Sequence, residues 1–328
     1  MSTFEFVSLI LAGIVILLFG GDFLVRGSAS LARRWNLPPL FVGLTIIAFG
    51  TSAPELVVSV QSALQGVPGL ALGNIVGSNI ANFLLVLGLP ALFGAIETTT
   101  PGVRRNAVIA LGAAIALIIV SWDRVISFEE GAILFTAIIV YVLVLGMLAR
   151  GETDDPALAE LTDVDHMEGL PKSMPSIILS IIVGLVALPV GAQMIVTGGT
   201  AAALAYNVDE SLVGLTAVAI GTSLPELATV VMASLRRQAE MAIGNVLGSN
   251  IFNVFAVGGA TGLVANMTGT PLSLPESFFA LDFWVMLGSS VVIAMIVIAR
   301  RPIGRLLGSI LFISYLAYIG YIARMMLG

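Results

Sequence analysis

One stretch of this 328-residue chain is written twice. Residues 43–88 read GLTIIAFGTSAPELVVSVQSALQGVPGLALGNIVGSNIANFLLVLG, and residues 214–259 read GLTAVAIGTSLPELATVVMASLRRQAEMAIGNVLGSNIFNVFAVGG. At an offset of 171 the two copies align without a gap, and 22 of 46 positions are identical. The match is densest at Gly, Thr, Ser, Pro, Glu and Asn. Each copy places one carboxylate, Glu55 or Glu226, inside an apolar run, where an ionised group is costly and usually functional. Beyond the core of the repeat, Gly20 aligns with Gly191, Gly27 with Gly198 and Asn36 with Asn207. The duplication therefore extends over whole halves of the chain.

The rest of the composition says what surrounds those carboxylates. Hydrophobic residues make up 58% of the chain and charged residues 10%, against about a quarter charged in a soluble domain. Mean hydropathy is +1.06, so lipid is the expected solvent. No basic surface suited to nucleic acid stands out. The absence of cysteine excludes disulfides, thiol nucleophiles and thiolate metal sites. The N-terminus, MSTFEFVSLI, lacks the basic start of a cleavable signal peptide, and its apolar run reads as a retained span.

A span needs about 20 apolar residues, and the pattern predicts ten, near 4–30, 40–64, 70–94, 105–122, 127–149, 174–204, 211–235, 240–264, 279–299 and 303–326. A polar segment divides them into halves of five: residues 1–150, a linker 151–173, and residues 174–328. Five is odd, so the second half must enter the membrane upside down. The basic residues agree, since cytoplasmic loops collect Lys and Arg. Alternate connections carry Arg26, Arg33, Arg34, Arg104, Arg105, Arg150, Lys172, Arg236, Arg237, Arg300, Arg301 and Arg305, whereas the other side has only Arg124 and Arg324. This bias predicts an integral protein of the cell (plasma or inner) membrane with both termini outside and the linker in the cytoplasm. The linker holds seven acidic residues and the only histidine, His166. Their spacing does not fit an EF-hand loop, and the segment reads as a solvated connection.

The repeated motif has its own chemistry. In GTSAPEL, Pro54 lacks an N–H and its ring collides with the carbonyl of Gly50, so the helix is expected to break near 48–52 and release carbonyl oxygens. Unpaired backbone at membrane depth survives only when buried or lining a polar cavity, and a cation meets that need. Thr51 and Ser52 add hydroxyls, with Glu55 on the same face; Thr222, Ser223 and Glu226 repeat the arrangement. On the next helix Asn74, Ser78 and Asn82 share one face, as do Asn245, Ser249 and Asn253. Asn74, Asn79, Asn245 and Asn250 read as bonds between helices more than as ligands. Gly73 with Gly77, and Gly244 with Gly248, form small-xxx-small pairs for close helix approach.

Every donor here is oxygen, which suits Ca²⁺ and Na⁺; softer metals would want Cys or His. Two carboxylates balance one Ca²⁺. Emptied, they would be two desolvated charges facing each other, a costly state. The site should then fill with Na⁺ or protons before it reorients, which makes exchange obligatory.

GTSAPE and GTSLPE, each followed by GN-x-x-GSN-x-x-N, resemble the two α-repeats of the cation/calcium antiporter superfamily, and more narrowly those of prokaryotic sodium/calcium exchangers. The resemblance implies an all-α membrane fold of ten helices in two inverted repeats, with ion sites clustered at mid-membrane. It further implies exchange of three Na⁺ per Ca²⁺ by alternating access, with no cofactor beyond the transported ions and no obligate protein partner. By matching positions, Glu55 and Glu226 would be the central Ca²⁺ ligands, with the carbonyls of Thr51 and Thr222. Side chains of Ser52, Ser78, Ser223 and Ser249, with the carbonyls of Ala48 and Ala219, would serve flanking Na⁺ sites, and Asn82 and Asn253 would complete the centre. Helices 1 and 6 would slide against the other eight along glycine-rich surfaces. Some relatives, including the potassium-dependent branch, carry Asp at the place of Asn253; the amide implies independence from K⁺. The proton-coupled branch typically shows GNxxEH-type motifs that this chain lacks. A proton-coupled antiporter is the nearest rival, a passive channel a weaker one, and an intramembrane hydrolase lacks the Cys, membrane His or HExxH it would need.

Overall fold

A computed structural model describes residues 1–152, 169–205, 221–274, 276 and 278–327, and it is helical almost throughout. The helices are α1 Thr3–Arg34, α2 Pro39–Thr51, α3 Ala53–Leu64, α4 Pro68–Ala91, α5 Val103–Val120, α6 Phe128–Glu152, α7 Met174–Ala205, α8 Leu224–Leu235, α9 Ala239–Met267, α10 Phe278–Ile298 and α11 Arg305–Leu327. Among the described residues eight of these are long and apolar enough to cross a bilayer. The pair α2 and α3, bent by 41°, makes a ninth. Of the span expected at 211–235, residues 211–220 lie outside the described residues, and α8 is its described part. Most of the acidic linker, His166 included, is also outside them.

Local chemistry sets the boundaries. Ser2 caps α1 by accepting from the Glu5 N–H while Glu5 accepts from the Ser2 N–H, which satisfies two otherwise orphaned donors. Arg33 and Arg34 occupy its last turn, where cations oppose the helix dipole. Pro39, Pro54, Pro68 and Pro225 sit in the first turns of their helices, where a missing N–H costs nothing. Phe4, Ile119, Ile133, Leu179 and Leu306 are exposed, as a lipid-facing surface requires.

Two helices lie along each other in opposite directions. A Cβ on Gly13 would meet the Gly191 carbonyl oxygen at 2.7 Å, and one on Gly184 would meet the Gly20 carbonyl oxygen at 2.8 Å. Gly198 likewise abuts Phe6 and Ile10, and Gly27 abuts Ile181. Glycines seven residues apart on α1 and α7 thus form an antiparallel seam in which backbone touches backbone. The other helices enclose the repeated motifs, and α2 presses on α9: a Cβ on Gly248 would lie 2.6 Å from that of Ala48.

The connections sort onto two rims. On one, Ile96 and Ile303 form a two-way backbone bridge, Thr98 donates to the Arg301 carbonyl, Thr100 to Glu240, and Arg26 to the Gly169 carbonyl. On the other, Val125–Ile126 pairs antiparallel with Leu272–Ser273, and Arg124 meets Glu276 at 2.6 Å. Each partnership joins loops that the charge pattern assigns to the same side.

A candidate cation site where the two repeats meet

Ser52 is where the bent pair breaks: its φ and ψ of −85° and 2° end α2, and α3 begins one residue later. Glu55 lies in the first turn of α3. Ser223 adopts nearly the same conformation, −87° and −2°, and places Glu226 in the first turn of α8. The expected break is met beside Glu55; beside Glu226 the start of α8 is described and residues 211–220 before it are not, and both carboxylates are wholly buried.

Across the contact the two copies grip each other reciprocally. Thr51 donates to the Asn245 side-chain oxygen at 3.2 Å, and Thr222 donates to that of Asn74 at 3.0 Å. The Thr51 and Ser249 hydroxyls lie 3.4 Å apart, as do those of Thr222 and Ser78. Ser52 donates to Glu226 at 3.2 Å. Asn82 donates to Asn250 at 3.1 Å, and Asn250 to the Asn79 carbonyl at 3.4 Å. Hydroxyls and amides from both repeats therefore surround the acids.

A surplus of acceptors remains. Both side-chain oxygens of Glu55, one of Glu226 and those of Asn82 and Asn253 have no hydrogen-bond partner, nor does the Ser223 hydroxyl. Among the described residues no Lys, Arg or His pairs with either carboxylate. Buried acceptors left in this state are expensive, and a cation is the species that would satisfy them together. No trio of His, Cys, Asp and Glu gathers among the described residues, so the donor set is two carboxylates with neutral oxygens, as a hard cation prefers.

Particular expectations fare differently. Thr51, Ser52, Ser78, Thr222, Ser223, Ser249, Asn82 and Asn253 are all buried in this region. The Ala48 carbonyl is not free: it accepts from the Ser52 N–H at 3.0 Å, and the Thr51 hydroxyl, whose one hydrogen also reaches Asn245, lies 3.4 Å from it. Ala219 lies outside the described residues. Asn74 and Asn245, read from sequence as bonds between helices, are that, and they also fix the two threonines. Asn82 and Asn253 each open a π-helical turn, Asn82–Val86 and Asn253–Gly258, a distortion frequent at functional sites. Nothing in the sequence marks those turns. Ser59, four residues past Glu55, was missed; its place one turn from an acid was the available signal.

An antiparallel glycine seam beside a doubled, bare carboxylate centre defines a membrane carrier of the cation-antiporter type. The family model for the sodium/calcium exchanger protein matches residues 5–147 and 176–324, and the chain belongs to that family. It is 33% identical over 324 residues to the inner membrane protein YrbG of Escherichia coli, covering 96% of this chain and 97% of that one. It is 28% identical to the sodium/calcium exchanger MaX1 of Methanosarcina acetivorans, covering 97% and 98%. A solved structure of the sodium-calcium exchanger NCX_Mj superposes with a TM-score of 0.78 at 28% identity, covering 96% of this chain and 97% of that one.

Proposed function

We propose that this protein exchanges Na⁺ for Ca²⁺ across the cell membrane by alternating access, through ten spans in two inverted halves of five. The observation that carries the reading is the pair of wholly buried glutamates, one from each repeat, with unpartnered oxygens and, among the described residues, no basic group paired to them. Glu55 and Glu226 hold Ca²⁺ with the backbone oxygens of Thr51 and Thr222. Asn82 and Asn253 complete that centre, and Ser52, Ser78, Ser223, Ser249 and the Ala48 and Ala219 carbonyls shape the flanking Na⁺ positions. Support for these substrates comes from the relatives: MaX1 is named a sodium/calcium exchanger, and the NCX_Mj crystals, described in terms of ion exchange and binding-site occlusion, were soaked with Na⁺, Ca²⁺ and Sr²⁺.

The physical sequence is short. Ca²⁺ neutralises both acids, so the loaded site can be closed off from water. Once Ca²⁺ leaves, two bare carboxylates oppose closure, and Na⁺ must enter before the carrier turns. Three Na⁺ against one Ca²⁺ moves one net charge. Both termini and the rim bearing Arg124 face outward, the basic rim faces the cytoplasm, and the carrier runs without K⁺. Purified protein in liposomes tests this: Ca²⁺ uptake at fixed pH should require Na⁺ inside. Uptake driven by a proton gradient and indifferent to Na⁺ would instead establish the proton-coupled reading.

A further inference from the structure

We propose that Ser59 is a positioning residue that braces the Glu55 half of the site and makes the two halves, and hence the two membrane faces, unequal toward Ca²⁺; this rests on the exchange reading above. Ser59 is wholly buried on α3, one turn past Glu55. Its hydroxyl donates to the Ala71 carbonyl at 3.2 Å and accepts from the Asn74 amide at 2.9 Å. The same amide donates to the Glu55 backbone carbonyl at 3.1 Å, while the Asn74 oxygen receives the Thr222 hydroxyl. One serine thus fixes an asparagine that holds both the Glu55 peptide and the threonine of the opposite repeat.

Among the described residues the second half has no such brace. The residue 171 positions after Ser59 is Val230, also wholly buried. Asn245, the counterpart of Asn74, still accepts from Thr51, but its amide nitrogen is a buried donor without a partner. A hydroxyl in one copy and a methyl in the other account for the difference directly. In an inverted duplicate, each half presents to one face what its twin presents to the other. Sequence-identical halves would bind Ca²⁺ equally from both sides. Inequality arises only where the copies differ, and Ser59 is joined to the ligand-bearing turn through the single side chain of Asn74.

The experiment measures half-saturating Ca²⁺ from each face, using protein inserted in a single orientation in liposomes. Ser59→Val should raise half-saturating Ca²⁺ by about three- to tenfold, the worth of one or two lost hydrogen bonds, with maximal rate retained; Ser59→Thr, which keeps the hydroxyl, should restore it. Ser59→Val and Val230→Ser alone should each bring the ratio between faces toward one. The double exchange Ser59→Val with Val230→Ser should carry it toward its reciprocal. A ratio unchanged in all three overturns the proposal, and Val230→Ser, which supplies a partner to an orphaned donor, decides it alone if Ser59→Val does not fold. If the wild type binds Ca²⁺ but does not exchange it for Na⁺, the exchange reading fails, and the brace is judged by the Ca²⁺ Kd of Ser59→Val against Ser59→Thr. Equal values then refute it.

Discussion

Glu55 has no hydrogen-bond donor on either side-chain oxygen, whereas Glu226 receives the Ser52 hydroxyl. Both need a counter-charge, and no basic residue among the described ones supplies it. Glu55→Gln and Glu226→Gln should each abolish Ca²⁺ exchange while leaving an inserted, monodisperse protein, because the amide keeps the shape and removes the charge; retained ⁴⁵Ca flux in both would refute their assignment as ligands. Asn253→Asp puts a third carboxylate in place of a side chain whose polar atoms are both unpartnered. It should change the pH or K⁺ sensitivity of exchange, and identical profiles would show that the position takes no part. The acids were legible in the sequence because duplication separates a functional residue from a chance one. Ser59 was not: its counterpart is Val230, so it stands outside the shared motif, and its bonds to Ala71 and Asn74 form only in the folded chain.

The glycine seam can be tested at the level of elements. A Cβ on Gly191 would approach the Gly13 carbonyl oxygen to 2.8 Å and Leu17 to 2.9 Å, and backbone cannot step aside. Gly191→Val should therefore cost about 1–3 kcal/mol by overpacking, read as a lower melting temperature in detergent, and should slow exchange by separating α1 from α7. An unchanged melting temperature and rate would mean that the seam opens freely. Asp22 is a second element-scale feature. Its pairing with Arg26, at 3.2 Å, follows from four-residue spacing on one helix. Its contact with Arg236 at the end of α8, at 2.6 Å, joins residues 214 apart. Periodicity shows the first and only the folded chain the second. Asp22→Asn should change turnover and leave half-saturating Ca²⁺ in place, since it loosens α1 from its neighbour without touching the site; a shift in affinity with constant turnover would contradict this. The π-helical turns at Asn82 and Asn253 escaped the sequence reading because a ladder widened by one residue has no side-chain signature.

For the whole molecule, the separation of the loops into two rims was written in the charges, and the loop contacts among the described residues join loops of the same rim. Which helices touch was less visible. The seven-residue glycine spacing announced smooth faces on α1 and α7 but not that they would be pressed on each other. Electrogenic exchange is a property at this scale. If three Na⁺ leave a vesicle as one Ca²⁺ enters, an inside-positive potential should accelerate uptake, with about 2.3 kcal/mol available per 100 mV; voltage-indifferent uptake under a valinomycin clamp would exclude that stoichiometry. The fastening of α1 and α7 adds a mechanical consequence. Their polar attachments beyond each other, Asp22 to Arg236 and the Arg26 and Arg34 bonds to the Gly169 and Lys172 carbonyls, all sit at the basic rim. Among the described residues none ties the pair down at the far rim. A panel hinged along one jamb swings widest at its free edge, so the opening onto the side of Arg124 should be the broader of the two gates.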